Sequence, residues 1–270
     1  RLSRGLGDVY KRQAKIAQEA EVPLIVDNTM ATPWLCRPFE WGADLVVHST
    51  TKFLSGQGNA MGGIVIDSGR FPWFGNSKYP SLSEPCPDYN GLTFAETFGD
   101  MAFTLYSHAV SLRDLGCTQS PMNAWITLNG VETLPLRMER HVENAQKVAG
   151  FLQQHPSVEW VSYAGLSSSP YYQLAQKYLQ GKAGSVFTFG IRGGYESGLR
   201  LLEKVELFSH VSNIGDSRSL ILHPASTTHR QLSDEQRLTA GAGPEVIRLS
   251  VGIESVEDLI ADLEQALEGL

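Results

Sequence analysis

The residues best suited to chemistry in this 270-residue chain stand at the ends of two short apolar runs. Asp27 follows the run at residues 22–26, and Ser49, Thr51 and Lys52 follow the run at residues 44–47. Together they supply a carboxylate, two hydroxyls and a primary amine. An amine condenses with an aldehyde, hydroxyls and backbone N–H groups hold a phosphate, and a carboxylate keeps a pyridine nitrogen protonated. One small molecule that asks for all of these is pyridoxal 5'-phosphate (PLP). Ser49 and Thr51 are two apart, so an extended segment turns them to one side and Lys52 to the other. Gly56, Gly58, Gly62 and Gly63 follow and allow close backbone approach. Taken singly, each element has a blander reading: an aspartate after an apolar run is commonly a turn or helix cap.

The elements that must position these groups read as α/β. Residues 14–20 look like the end of a helix. The runs at residues 22–26, 44–47 and 62–66 are short, apolar and bounded by turn residues, as in buried strands of a parallel sheet. Ligands of such sheets gather beyond the carboxyl ends of the strands, where Asp27 and residues 49–52 lie. Residues 69–100, rich in Pro, Gly, Ser and Asn, read as a long irregular excursion. A helix over residues 139–154 turns Val142, Ala145, Val148, Ala149 and Leu152 to one face. The last third alternates strands (residues 158–162, 185–191, 219–222 and 246–251) with helices. It ends in a helix started by Ser255, with Asp258 completing a capping-box-like pair. Ile247, Leu249 and Val251 alternate with Arg248 and Ser250, giving one apolar face and one that can line a cleft.

Several motifs in fixed order resemble the Cys/Met-metabolism PLP-dependent enzymes, the transsulfuration enzymes of the aspartate-aminotransferase-like fold. They are residues 27–33 (DNTMATP), Pro38, residues 42–56 (GADLVVHSTTKFLSG), residues 215–220 (GDSRSL), residues 223–229 (HPASTTH) and residues 247–254 (IRLSVGIE). The resemblance implies that Lys52 forms the Schiff base with PLP, that Asp27 pairs with the ring nitrogen, and that Ser49 and Thr51 bind the phosphate. It also implies that Arg248, helped by Ser219, binds the substrate α-carboxylate, with Thr227, Thr228 and His229 bordering the pocket. Gln57 departs from the pattern, since a histidine is common there.

Residues 71–73, 89–92, 94–96, 136–145 and 170–172 are similar to the branch that sulfhydrylates O-acetylhomoserine. The implied reaction is γ-replacement with sulfide or methanethiol, giving homocysteine or methionine in methionine biosynthesis. The fold implied is a PLP-dependent transferase of fold type I. Its truncated large parallel-sheet domain (residues 14–135) precedes a small C-terminal α+β domain (residues 136–270), with residues 1–13 outside the family. The family also carries an N-terminal half with a further phosphate-binding loop, an aromatic residue stacked on the ring, and a Tyr-Arg pair given to a neighbouring subunit. The resemblance therefore implies a C-terminal fragment holding half an active site, from a protein that assembles as a homodimer or tetramer. A cystathionine γ-synthase or γ-lyase shares every cofactor residue and stays open as an alternative. So do an inactive fragment and a PLP-free Schiff-base enzyme of the aldolase kind.

Composition sets wider bounds. A net charge of −7 with scattered basic residues argues against a nucleic-acid partner. No apolar run approaches the ~20 residues of a membrane helix. Three widely spaced cysteines (Cys36, Cys86 and Cys117) without a CxxC argue against a disulfide framework or zinc site and fit a reducing cytoplasm. Cys36 reads as a small buried hydrophobe, and Trp34, Trp73, Trp125 and Trp160 as packing residues.

Overall fold

The computed structural model describes residues 8–270. Helix α1 (Asp8–Glu19) begins inside the segment expected to lie outside the fold, and Ala17 on its last turns is buried. Strands β1 (Ile25–Asp27) and β2 (Leu45–Ser49) pair in parallel, as their apolar runs predict. The short helix α2 (Thr32–Leu35) lies between them. Strand β3 (Gly63–Asp67) departs from the parallel expectation: it pairs antiparallel with β2, Ser49 opposite Gly63. The connection explains this. Residues 50–62 turn the chain back at the end of β2, and a return from the same end delivers an antiparallel neighbour.

The excursion expected to be irregular folds around a small core of its own. Helices α3 (Pro80–Ser83), α4 (Phe94–Phe98) and α5 (Ala102–Tyr106) enclose Phe71, Trp73, Leu82, Phe94 and Ala102. Trp73 stacks on Phe103 with ring centroids 5.5 Å apart. Aromatic burial at irregular spacing leaves no periodic signal, which is why the segment reads as loop.

Helices α6 (Pro121–Glu132) and α7 (Leu134–Gln154) lead into the second half. Helix α7 runs straight through the expected boundary at residues 135/136. Its first turns place Leu134, Met138 and Val142 in a core with Leu35, Phe53 and Leu54. Its later turns place Ala145, Val148, Ala149 and Leu152 in the core of the second sheet, the face predicted for this helix. Trp125 on α6 does not pack: it is 61% exposed, because α6 turns Met122, Trp125 and Leu128 outward.

The second sheet comprises β4 (Val158–Ser162), β5 (Val186–Ile191), β6 (Ser209–His210), β7 (Leu220–Leu222) and β8 (Val246–Ser250). Its order is β4-β5-β8-β7-β6, antiparallel except for the β6–β7 pair. Four of these strands lie within a residue of their predicted ends; β6, two residues long, carries no pattern. Helices α8 (Tyr172–Tyr178), α9 (Gly194–Lys204), α10 (Asp234–Thr239) and α11 (Val256–Leu267) complete this half. Ser255 caps α11 by accepting from the Asp258 backbone N–H. Its hydroxyl donates to Glu257, so only half of the expected box forms. Leu259, Leu263 and Leu267 of α11 bury their stripe against the sheet.

Candidate cofactor and substrate site

Strand β2 ends at Ser49, and the chain enters a π-helical turn, Thr50–Leu54, that carries Lys52. At Lys52 the backbone leaves the helical region (φ −92°, ψ −127°). The turn is closed by Ser55 N–H donating to Thr50 O (3.1 Å) and Gly56 N–H donating to Lys52 O (2.8 Å). From below, Arg137 of α7 donates to the carbonyls of Phe53 (2.8 Å), Leu54 (3.3 Å) and Gly130 (2.6 Å). Gly130 is where α6 meets the turn; a Cβ there would stand 2.3 Å from the Leu54 carbonyl oxygen. Arg137 is thus a support of the site that the motif reading passed over.

The simple alternation expected for Ser49, Thr51 and Lys52 does not hold, because extended backbone stops at Ser49. The Thr51 hydroxyl turns to Gly62, accepting from its N–H (3.1 Å) and donating to its carbonyl (3.3 Å). The Ser49 hydroxyl has no hydrogen-bond partner among the described residues. Asp27 stands at the end of β1, beside the β2 terminus. Its Oδ1 accepts from the Thr29 N–H (3.0 Å) and hydroxyl (2.6 Å), and the Thr29 oxygen accepts from the Ser49 N–H (2.8 Å). Thr29 therefore links the two strand ends. The Asp-x-Thr spacing is the signal of such a local turn, though only its aspartate stood out in the sequence. Asp27 is exposed, and its Oδ2 makes no hydrogen bond within the described residues.

The second half of the molecule brings a loop, residues 213–217, against the lysine turn. Ser217 N–H donates to Gly56 O (2.8 Å). Gly215, at φ +73°, lies so close that a Cβ would stand 2.7 Å from the Phe53 nitrogen. The polar face predicted for β8 holds this loop: Ser250 accepts from Gly215 N–H (3.0 Å), and Arg248 donates to Asn213 O (3.3 Å). Ile247 and Leu249 on the opposite face are fully buried. The Lys52 Nζ donates to Asn213 Oδ1 at 2.5 Å. Burial, and then the nearby Arg248 charge, hold the Lys52 pKa below the ordinary lysine value.

Lys52 and Arg248 thus meet through Asn213, a residue outside every motif noted in the sequence. Ser219 goes elsewhere. It is fully buried, its hydroxyl donates to Glu254 (2.9 Å) and accepts from Gly252 N–H (2.8 Å), and its own N–H donates to Glu254 (2.6 Å). Thr227 donates to His223 O (2.7 Å), and Thr228 pairs with His229 (2.8 Å). No hydrogen bond among the described residues joins those three to the lysine.

Helix α7 fixes the segment after β8 as well. Asn144 donates to the carbonyls of Gly252 (3.1 Å) and Glu254 (2.9 Å). His141 meets Val251 O at 2.7 Å through Nδ1. A carbonyl only accepts, so Nδ1 carries the proton, and the buried Nε2 has no partner among the described residues. Burial holds the His141 pKa down to about 4. Below pH 6.5 the unfolded chain takes up this proton while the folded chain does not. Stability is therefore full above pH 6.5 and falls as pH drops toward about 4, by about 3 kcal/mol from this group. Urea unfolding of wild type and His141→Asn at pH 7 and pH 4 is expected to show that loss in wild type and most of it absent in the variant. Parallel curves would refute the assignment.

Residues 7–268 match the family described as Cys/Met metabolism PLP-dependent enzyme. The chain belongs to that family. The match begins at Gly7, so residues 7–13 fall within the family region, not outside it as the sequence reading expects. The chain is 51% identical over 266 residues to an O-acetyl-L-homoserine sulfhydrylase of Leptospira meyeri (95% of this chain, 60% of that protein). It is 46% identical over 261 residues to a homocysteine synthase of Schizosaccharomyces pombe (96% and 61%). In structure it superposes with TM-score 0.92 on a putative O-acetylhomoserine (thiol)-lyase of Campylobacter jejuni described with N'-pyridoxyl-lysine-5'-monophosphate. There the identity is 42%, with coverage of 96% of this chain and 62% of that one. The chain spans about 60% of the length of the curated relatives it matches.

PLP is the cofactor of the family, and the donor set here fits it. Among the described residues the Lys52 amine is held only by a neutral amide. Asp27 keeps one carboxylate oxygen unengaged, and Ser49 a hydroxyl. Gly62 leaves no room for a side chain between Thr50 and Gln119. The fold-type-I α/β assignment follows from the same superposition. Among the described residues no helix is long and apolar enough to cross a membrane.

Proposed function

We propose that this chain carries the lysine side of an active site for PLP-dependent γ-replacement on O-acetylhomoserine, with sulfide or methanethiol as the second substrate. The observation that carries the reading is the gathering of the Lys52 amine and the Arg248 guanidinium on one residue, Asn213. The sulfhydrylase and homocysteine synthase names of the relatives support the substrate class.

Lys52, Asp27 and Ser49 would hold the cofactor, joined by Thr51 once its hydroxyl gives up the Gly62 carbonyl, and the cofactor when bound supplies an electron sink for charge developing at the substrate α-carbon. Arg248 offers a planar fork for the substrate carboxylate and sets which end of the amino acid faces the lysine. The Lys52 Nζ, its pKa lowered, takes the α-proton and moves protons at the neighbouring carbon. Acetate leaves the γ-carbon and the thiol adds there. Ser219, its hydroxyl engaged with Glu254, acts in this scheme by shaping the segment beside Arg248.

A homo-oligomer, dimer or tetramer, in the cytoplasm completes the proposal. The outward row of Met122, Trp125 and Leu128, each more than 60% exposed, supports an interface, and three unpaired cysteines suit a reducing compartment. The test is product analysis on the whole protein with O-acetylhomoserine, with and without sulfide. Homocysteine formed only with sulfide is the expected result. Cystathionine formed in preference to homocysteine when cysteine is supplied alongside sulfide, or an oxo-acid and ammonia formed without sulfide, would move the assignment to a synthase or lyase.

A further inference from the structure

We propose that Asn213 is a positioning residue for the reactive lysine: its amide oxygen is the resting acceptor for the Lys52 amine whenever that amine is free. The proposal rests on the reading of Lys52 as the PLP lysine. Three observations carry it. The Lys52 Nζ–Asn213 Oδ1 contact is 2.5 Å, across 161 positions of sequence, so it is a product of the fold. The backbone carbonyl of the same residue accepts from Arg248 at 3.3 Å, so one residue sets the spacing of amine and guanidinium. The amide also has one orientation. Its Nδ2 faces Gly58, where a Cβ would stand 2.9 Å away, and an ammonium can only donate, so Oδ1 must face Lys52.

Charged and titratable groups on the elements around the lysine turn include Arg248 on β8, Asp216 on the loop with Arg218 just after it, Arg137 and His141 on α7, Asp27 on β1, His48 on β2, Asp67 on β3 and Glu132 on α6. Asp216 is engaged by Arg218 (3.1 Å), and Arg137 by backbone carbonyls. Burial and Arg248 oppose the charged amine. The Asn213 oxygen favours it. A neutral acceptor here steadies the amine in place without holding it permanently protonated, as a carboxylate would.

The side-chain and backbone roles separate experimentally, because Asn213→Ala keeps the carbonyl that Arg248 uses. In the full chain freed of PLP, acetylation of Lys52 is followed against pH by mass spectrometry of its peptide. Asn213→Ala is expected to lower the midpoint by about one pH unit, tenfold in the protonation equilibrium, since a hydrogen bond to a charged group is lost. The near-isosteric Asn213→Asp is expected to raise it. In the holoenzyme, Asn213→Ala should lower kcat while leaving KM for the amino-acid substrate within about twofold. Midpoints unmoved in both variants, with unchanged unfolding transitions, would overturn the proposal. Borohydride reduction of the holoenzyme tests the underlying reading separately: PLP fixed on a peptide lacking Lys52 would overturn that reading whatever the midpoints show.

Discussion

Replacing Lys52 with alanine is expected to reduce turnover at least ~10⁴-fold, the upper range for a group that acts as general acid–base, and to abolish covalent retention of PLP. The size of the effect follows from the turn. The π-helical segment Thr50–Leu54 is fixed by Arg137 below and by the loop of residues 213–217 beside it. Lys52 is the amine that this turn carries. The chain should still fold, because the lysine is only partly buried and its hydrogen bond is to one side chain. Wild-type-like unfolding with loss of the cofactor's visible absorbance after gel filtration is the expected pair of results. Turnover retained within tenfold would remove Lys52 from the mechanism.

Arg248→Lys is expected to cost about 3 kcal/mol in kcat/KM, near 10²-fold, with most of the loss in KM. A lysine keeps the charge but not the fork that grips a carboxylate at two points. It also cannot keep both the Asn213 carbonyl and the substrate engaged in the same geometry. Ile247 and Leu249 fix the backbone of β8 whatever residue stands at 248, so the change should be local. Initial rates over a range of O-acetylhomoserine concentrations, at constant sulfide, separate the two parameters. A fall in kcat with KM unchanged would place Arg248 in another role.

Strand ends and their chemistry were legible in the sequence because apolar runs and the motif residues coincide there. The parallel β1–β2 pair, four of the five strands of the second sheet and the buried face of α7 all follow from residue pattern. Three features were not legible, for different reasons. The antiparallel β3 depends on what residues 50–62 do, and a π-helical turn has no sequence pattern. The core around Trp73 depends on aromatic contacts at irregular spacing. Asn213 depends on a contact 161 residues long, which no local pattern encodes. Ser219 is the reverse case: its place in a motif is plain, but its hydrogen bonds to Glu254 and Gly252 come only from packing.

Helix α7 acts as a caliper. One jaw, Arg137, closes on the lysine turn; the other, His141 with Asn144, closes on the backbone just past Arg248. An α-helix cannot change the distance between its jaws without also rotating them: one inserted residue moves a grip about 1.5 Å along the axis and turns it by about 100°. Exchanges of side chain along the outer face of this helix leave the jaws where they are. An insertion or deletion between residues 137 and 144 would aim one of them away from its target. Over this stretch the number of residues is constrained more tightly than most of their identities.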